Sequence, residues 1–145
     1  MIVVDASVAV KWLVPEAGKA AADELLNDGV PLLAPALIRV EVAAAIARKV
    51  RFDEIRFQTG ESALSRWFQL LLNGLVTLVP DEADLADAWR LATELRHPLQ
   101  DCVYLALALR LRTPLVTADK KFTEKARPVY SEVRLLGSDQ TRPER

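Results

Sequence analysis

Cysteine is nearly absent. Cys102 stands alone, so no internal disulfide framework can form, and a reducing cytosol is the expected setting. Histidine is also limited to one, His97, which excludes a two-histidine nuclease and a His-rich zinc site within one chain. The five glycines form no phosphate cradle, and neither a P-loop nor a G-x-S-x-G stretch occurs. No apolar run reaches the roughly 18–20 residues of a membrane span. The first residues are apolar, but Asp5 and Lys11 interrupt them and no basic leader stands before them. They read as folded structure rather than a signal peptide, with a cytoplasmic location expected. Charge of one sign is lacking too: 19 basic residues face 20 acidic ones, a net charge of -1. The basic excess usual in nucleic-acid binders is missing, although clustering of charge matters more than its total. If the chain is an enzyme, carboxylates are its main available catalysts.

What is there fits one domain. The 145 residues are 51% hydrophobic, enough for a core without staples. Short β-branched runs alternate with longer helical patterns. Strands are predicted at Ile2–Val4, Val30–Ala34, Leu75–Val79, Leu115–Thr117 and Val133–Leu136. Helices are predicted over 17–27, 36–50 and 99–112. Asp53 reads as the cap for helices running to Leu72, with a break at Gly60. Asp81 reads as the cap of a helix ending near His97-Pro98. This alternation predicts an α/β domain with a mainly parallel five-stranded sheet over residues 1–137, followed by a polar tail over 138–145.

In a parallel sheet each strand delivers its last residue, and each following helix its first turn, to the same carboxyl edge, where ligand sites lie. Asp5 ends the first strand and Asp119 follows the fourth. Asp101 lies in the first turn of the helix before strand four, and Glu41 in the early turns of the helix after strand two. Topology alone brings these four acids to one edge. Each also has a plain structural reading. Asp5 and Asp119 suit helix caps, and Asp101 suits a helix dipole. Glu41 is harder to explain that way. Its helical neighbours Leu37, Ile38, Ala44 and Ala45 are apolar and none is basic, and a carboxylate on such a face needs a partner. Four acids together would repel and raise one another's pKa values unless a cation offset them. An oxygen-only donor set suits Mg²⁺ or Mn²⁺ rather than zinc, and such ions serve phosphoryl chemistry.

The stretches "VVDASV", "LIRVEVAAAI", "LQDCVYLALAL" and "LVTADKKF", in that order over residues 1–137, resemble the PIN-domain family, in particular VapC-type toxins of toxin–antitoxin pairs. The resemblance implies a three-layer α/β/α domain. It implies a Mg²⁺- or Mn²⁺-dependent endoribonuclease using one or two ions and leaving 5′-phosphate and 3′-hydroxyl ends. The family's acidic quartet falls on Asp5, Glu41, Asp101 and Asp119, and its supporting hydroxyls on Ser7 and Thr117. A homodimer and a VapB-type antitoxin that brings an arginine to the acids are implied partners. Many relatives carry a further acid two places after the last aspartate. Here Lys121 stands there.

Setting the four acids aside leaves 19 basic residues against 16 acidic, a net of +3. Lys120, Lys121 and Arg39 are candidates to meet the RNA backbone; Arg48, Lys49 and Arg51 read more simply as a solvated helix face. Cys102 reads as a small buried hydrophobe, and His97 as structural or solvated. "LSRWFQLLL" is apolar enough for either core or a partner surface. Two rival functions remain: an aspartyl phosphatase with Asp5 as nucleophile, although Ser7 stands where a second Asp is usual, and a non-catalytic PIN-like module binding RNA or protein.

Overall fold

The structure is a computed structural model describing residues 1–138, so most of the expected tail lies outside the described residues. Five parallel strands form one sheet: β1 (Ile2–Val4), β2 (Leu32–Pro35), β3 (Val76–Val79), β4 (Leu115–Thr117) and β5 (Val133–Leu135). Their spatial order is β3-β2-β1-β4-β5. The central strand β1 pairs with β2 through Ile2↔Leu32 and with β4 through Val3↔Leu115. Ile2, Val3 and Val4 are all buried, as a strand covered on both faces requires.

Seven α-helices lie among the described residues: α1 (Ala6–Ala9), α2 (Lys19–Asn27), α3 (Ile38–Arg51), α4 (Phe57–Leu72), α5 (Leu85–Leu95), α6 (Leu99–Leu111) and α7 (Lys120–Ala126). With the right-handed crossovers that parallel strands favour, this order places α1–α4 over one face of the sheet and α5–α7 over the other, consistent with the contacts of α3 with α1 and α4 and of α5 with α6. Helix α6 is the most enclosed of the helices. Cys102 to Ala108 are buried without interruption, the mark of a helix that is apolar all round. Trp12 and Trp67 are fully buried, whereas Trp89 is exposed.

Three local expectations are corrected. Asp53 caps no helix. It lies past the end of α3 with a positive φ of 55°, and α4 begins only at Phe57. Gly60 does not break α4, which runs unbroken to Leu72. It is buried because α3 crosses there: a Cβ at Gly60 would stand 2.6 Å from Cγ2 of Val50. Asp81 serves another helix. Its Oδ1 accepts from the backbone N–H of Leu37 at 2.9 Å, just before α3. The residue preceding α5 is Asp84, whose carboxylate is taken by Arg110 at 2.6 and 3.0 Å.

The Gly60 contact generates a test. Alanine gains helix propensity over glycine by roughly 0.5–1 kcal/mol, but overpacking against a stiff Val side chain costs about 1–3 kcal/mol. Gly60→Ala is therefore expected to lower stability in urea unfolding by about 1 kcal/mol. Combined with Val50→Ala it should cost less than the two single changes summed; strict additivity would show that the close approach is not felt.

Candidate functional site

The order of the strands reverses direction between β1 and β4, and the crevice outside their carboxyl ends is where an α/β sheet binds ligands. Asp5 leaves β1 there as the residue preceding α1, and Asp119 leaves β4 as the residue preceding α7. Both do cap: Asp5 Oδ1 accepts from the N–H of Val8 at 3.3 Å, and Asp119 Oδ1 from the N–H of Phe122 at 3.0 Å.

Two hydroxyls stitch these strand ends together. Ser7 Oγ donates to Asp5 Oδ1 at 2.5 Å and accepts from the N–H of Ala118 at 2.9 Å. It lies 3.4 Å from Thr117 Oγ1, which accepts from the N–H of Asp119 at 3.1 Å. Ser7 and Thr117 thus hold the two loops in register. Thr117 is fully buried and Asp5 is 4% exposed.

Asp101 and Glu41 come to the same edge from α6 and α3, where Asp101 acts through its charge on both Asp5 and Glu41. Asp101 and Glu41 are each half-buried and held by one neutral-capable side chain. Asp101 Oδ2 is 2.6 Å from His97 Nε2. Glu41 Oε1 accepts from the hydroxyl of Tyr104 at 2.7 Å. No lysine or arginine forms a salt bridge with Asp5, Glu41, Asp101 or Asp119 among the described residues.

The electrostatics tie three of the four together. Burial pushes the Asp5 carboxyl from its ordinary 3.8 up to about 7; the hydrogen bonds from Ser7 and Thr117 oppose the shift, and the charge of Asp101 adds to it. Glu41 is also raised, first by burial, then by the charges of Asp101 and Asp81, against the Tyr104 hydrogen bond. The Tyr104 hydroxyl is driven far up by burial and by Glu41, Asp5 and Asp101, so it stays protonated and donates. Asp119 belongs to the same edge but is exposed, and it is linked to Asp5 through Thr117 and Ser7 rather than through a shared charge. Among the described residues no group of three or more His, Cys, Asp and Glu side chains is arranged to hold a metal ion. Each carboxylate is turned instead to its own hydrogen-bond donor.

The basic candidates fall at different distances from this chemistry. Lys120 and Lys121 are exposed at the start of α7, directly after Asp119. Arg39 is exposed, with its Nε donating to the carbonyl of Ala36 at 3.0 Å. Lys49 is occupied by Glu16 at 2.7 Å, and Arg48 and Arg51 lie over the ring of Phe52. Cys102 is buried, and burial pushes its thiol up to about 11, so it acts as a small hydrophobe.

The PIN domain family profile matches residues 2–128. The chain belongs to the PIN-domain family. The fold agrees: a solved toxin–antitoxin complex from Klebsiella pneumoniae holds a chain with TM-score 0.56 and 20% identity, the match covering 83% of this chain and 88% of that one. No curated protein matches in sequence. Within this PIN domain three side chains at the edge were given no part in the site by the reading from sequence: His97, read as structural or solvated, Asp81, read as the cap of the helix after it, and Tyr104, not singled out. Two of them carried a signal, since Tyr104 stands three residues after Asp101 on α6 and His97 four before it, just ahead of that helix.

The buried acid generates a test. Because the folded-state pKa of Asp5 lies above its unfolded value, its contribution favours folding at low pH and is lost as pH rises from about 4 to about 7. With EDTA present, the wild type is expected to lose on the order of 2–4 kcal/mol across that window. Asp5→Asn keeps a cap acceptor without the charge and should flatten the profile in urea unfolding. Parallel profiles for the two proteins would contradict the assigned environment.

Proposed function

We propose that this PIN domain is a Mg²⁺- or Mn²⁺-dependent endoribonuclease, the toxin of a VapBC-type toxin–antitoxin pair. The observation that carries the proposal is that Asp5 and Glu41 both feel the charge of Asp101 at the carboxyl edge of the sheet, with no lysine or arginine salt-bridged to any of the three among the described residues. A divalent cation is what such a set of oxygens lacks. The donor chemistry fits: all four candidate ligands offer hard oxygen atoms, and their donors leave a second carboxylate oxygen on Glu41 and Asp101.

In this reading Asp5, Glu41, Asp101 and Asp119 hold one or two ions. A bound ion supplies a water of lowered pKa and positive charge for the phosphate oxygens. The side chains do the rest. Ser7 and Thr117 fix the spacing of the Asp5 and Asp119 loops. Tyr104 fixes Glu41. Lys120 and Lys121 at the rim, with Arg39, meet RNA phosphates, a contact that orients rather than reads sequence. No side chain serves as the nucleophile. Asp5 is a poor one, being buried and engaged by Ser7 and Val8, which weighs against an aspartyl phosphatase.

The partners follow from the same reading. A VapB-type antitoxin that presents an arginine would neutralise the acids in place of the metal. Phe57, Phe68 and Leu72 are exposed along α4 and offer apolar surface to an antitoxin or to the second subunit of a homodimer. No helix among the described residues is long and apolar enough to cross a membrane. The lone Cys102 fits the cytoplasmic setting that this reading assigns.

The test is cleavage of a mixed-sequence RNA pool. Cleavage is expected with Mn²⁺ or Mg²⁺, none with EDTA, and new ends should carry 5′-phosphate. Asp101→Asn should lower the rate at least 100-fold while melting near the wild-type temperature. Metal-independent binding of RNA without cleavage would favour the non-catalytic module instead.

A further inference from the structure

His97 is the one histidine of the chain, and neither the fold nor the four acids require an imidazole where it stands. It occupies the corner between α5 and α6. Arg96 closes α5 with a φ of 52°, the N–H of His97 bonds back to Ala92 at 3.1 Å, and Pro98 bars the helix from continuing. The side chain then folds over the first turn of α6 onto Asp101, with only 7% of it exposed.

Two contacts from α7 fasten this corner. The imidazole stacks on Phe122, with centroids 4.8 Å apart and planes 19° from parallel. Lys125 Nζ donates to the carbonyl of Arg96 at 3.0 Å. Phe122 is itself the residue whose N–H is capped by Asp119 at 3.0 Å. A continuous line of contacts therefore runs from Asp119 through Phe122 and His97 to Asp101. It joins the two acids that come from different helices of the same face.

We infer that His97 is a positioning residue for the cation site, holding the Asp101 carboxylate by a hydrogen bond from Nε2 and keeping its other oxygen turned to the metal. An ionised carboxylate only accepts, so the proton of the pair sits on Nε2. Stacking on Phe122 fixes the ring plane, and the ring plane fixes the carboxylate. Partners behind a metal ligand commonly change affinity by about 10–100-fold when removed. The inference rests on the reading of Asp101 as a metal ligand, and the test separates the two.

The experiment uses the full chain and Mn²⁺ alone as probe. Free Mn²⁺ is followed by electron paramagnetic resonance for the wild type, Asp101→Asn, His97→Leu and His97→Gln. The amide of Gln restores a donor near the place of Nε2; Leu restores only bulk. His97→Leu is expected to weaken Mn²⁺ about tenfold or more, and His97→Gln to recover most of that loss. If Asp101→Asn abolishes binding while His97→Leu leaves it unchanged, the positioning role is overturned and the metal site stands. If Leu and Gln weaken binding equally, His97 only fills space, and the positioning role is likewise overturned. If Asp101→Asn binds as the wild type does, or the wild type binds no Mn²⁺, both readings are overturned. Should the His97 variants fail to fold, the wild type labelled with ¹⁵N-histidine decides. Its lone imidazole gives one pair of ring nitrogen signals, and Mg²⁺ should shift the Nε2 signal at saturable concentration. A signal indifferent to Mg²⁺ would overturn the inference.

Discussion

A carboxylate buried at the end of the central strand, with no lysine or arginine paired to it among the described residues, is the constraint from which the rest of the site follows. Asp5 is 4% exposed, and burial pushes its carboxyl up to about 7. An isolated buried charge is costly, and a protein meets that cost by protonation, by hydrogen bonds or by a counter-ion. This chain supplies hydrogen bonds, from Ser7 and the N–H of Val8. They do not offset the burial, and Asp101 makes matters worse. The neighbouring acids are treated alike: Glu41 is given a tyrosine hydroxyl and Asp101 an imidazole, donors without a permanent charge. On the proposed function, the positive charge is left for a cation that binds from outside.

The sheet explains why these acids meet at all. They lie in four different segments, spread from residue 5 to residue 119. Parallel strands bring strand ends and helix starts to one edge, and the reversal of order between β1 and β4 opens a crevice there. The Ser7–Thr117 pair then locks the two strand ends at the crevice. Fold and chemistry meet in these two hydroxyls, which belong to the backbone network on one side and to Asp5 on the other.

Much of this was legible in the residues. Ile2–Val4 and Leu115–Thr117 were read with their exact bounds, because an apolar β-branched run ended by an acid or a turn leaves little choice. The other three strands shifted by one or two residues at an end, where turn and strand compete. The placement of Asp5, Glu41, Asp101 and Asp119 on one edge followed from topology. What was not legible depended on distant partners. Asp81 looked like a cap for the helix after it, but its carboxylate reaches Leu37, 44 positions away. Gly60 looked like a break, but it marks where Val50 of the neighbouring helix comes close. His97 and Tyr104 lay at helical spacing from Asp101, yet only the stack on Phe122 and the reach to Glu41 show what they do.

On the proposed function, the edge built around Asp5 is a divalent-cation site. Anomalous diffraction from crystals soaked in millimolar Mn²⁺ tests it most directly, since it locates the ion without any assumption about substrate. The account predicts a peak in the crevice between β1 and β4, roughly 2.0–2.3 Å from carboxylate oxygens of Asp5 and Asp101, with Glu41 and Asp119 turned towards it. Peaks elsewhere on the molecule only, or none in the crevice, would contradict the account.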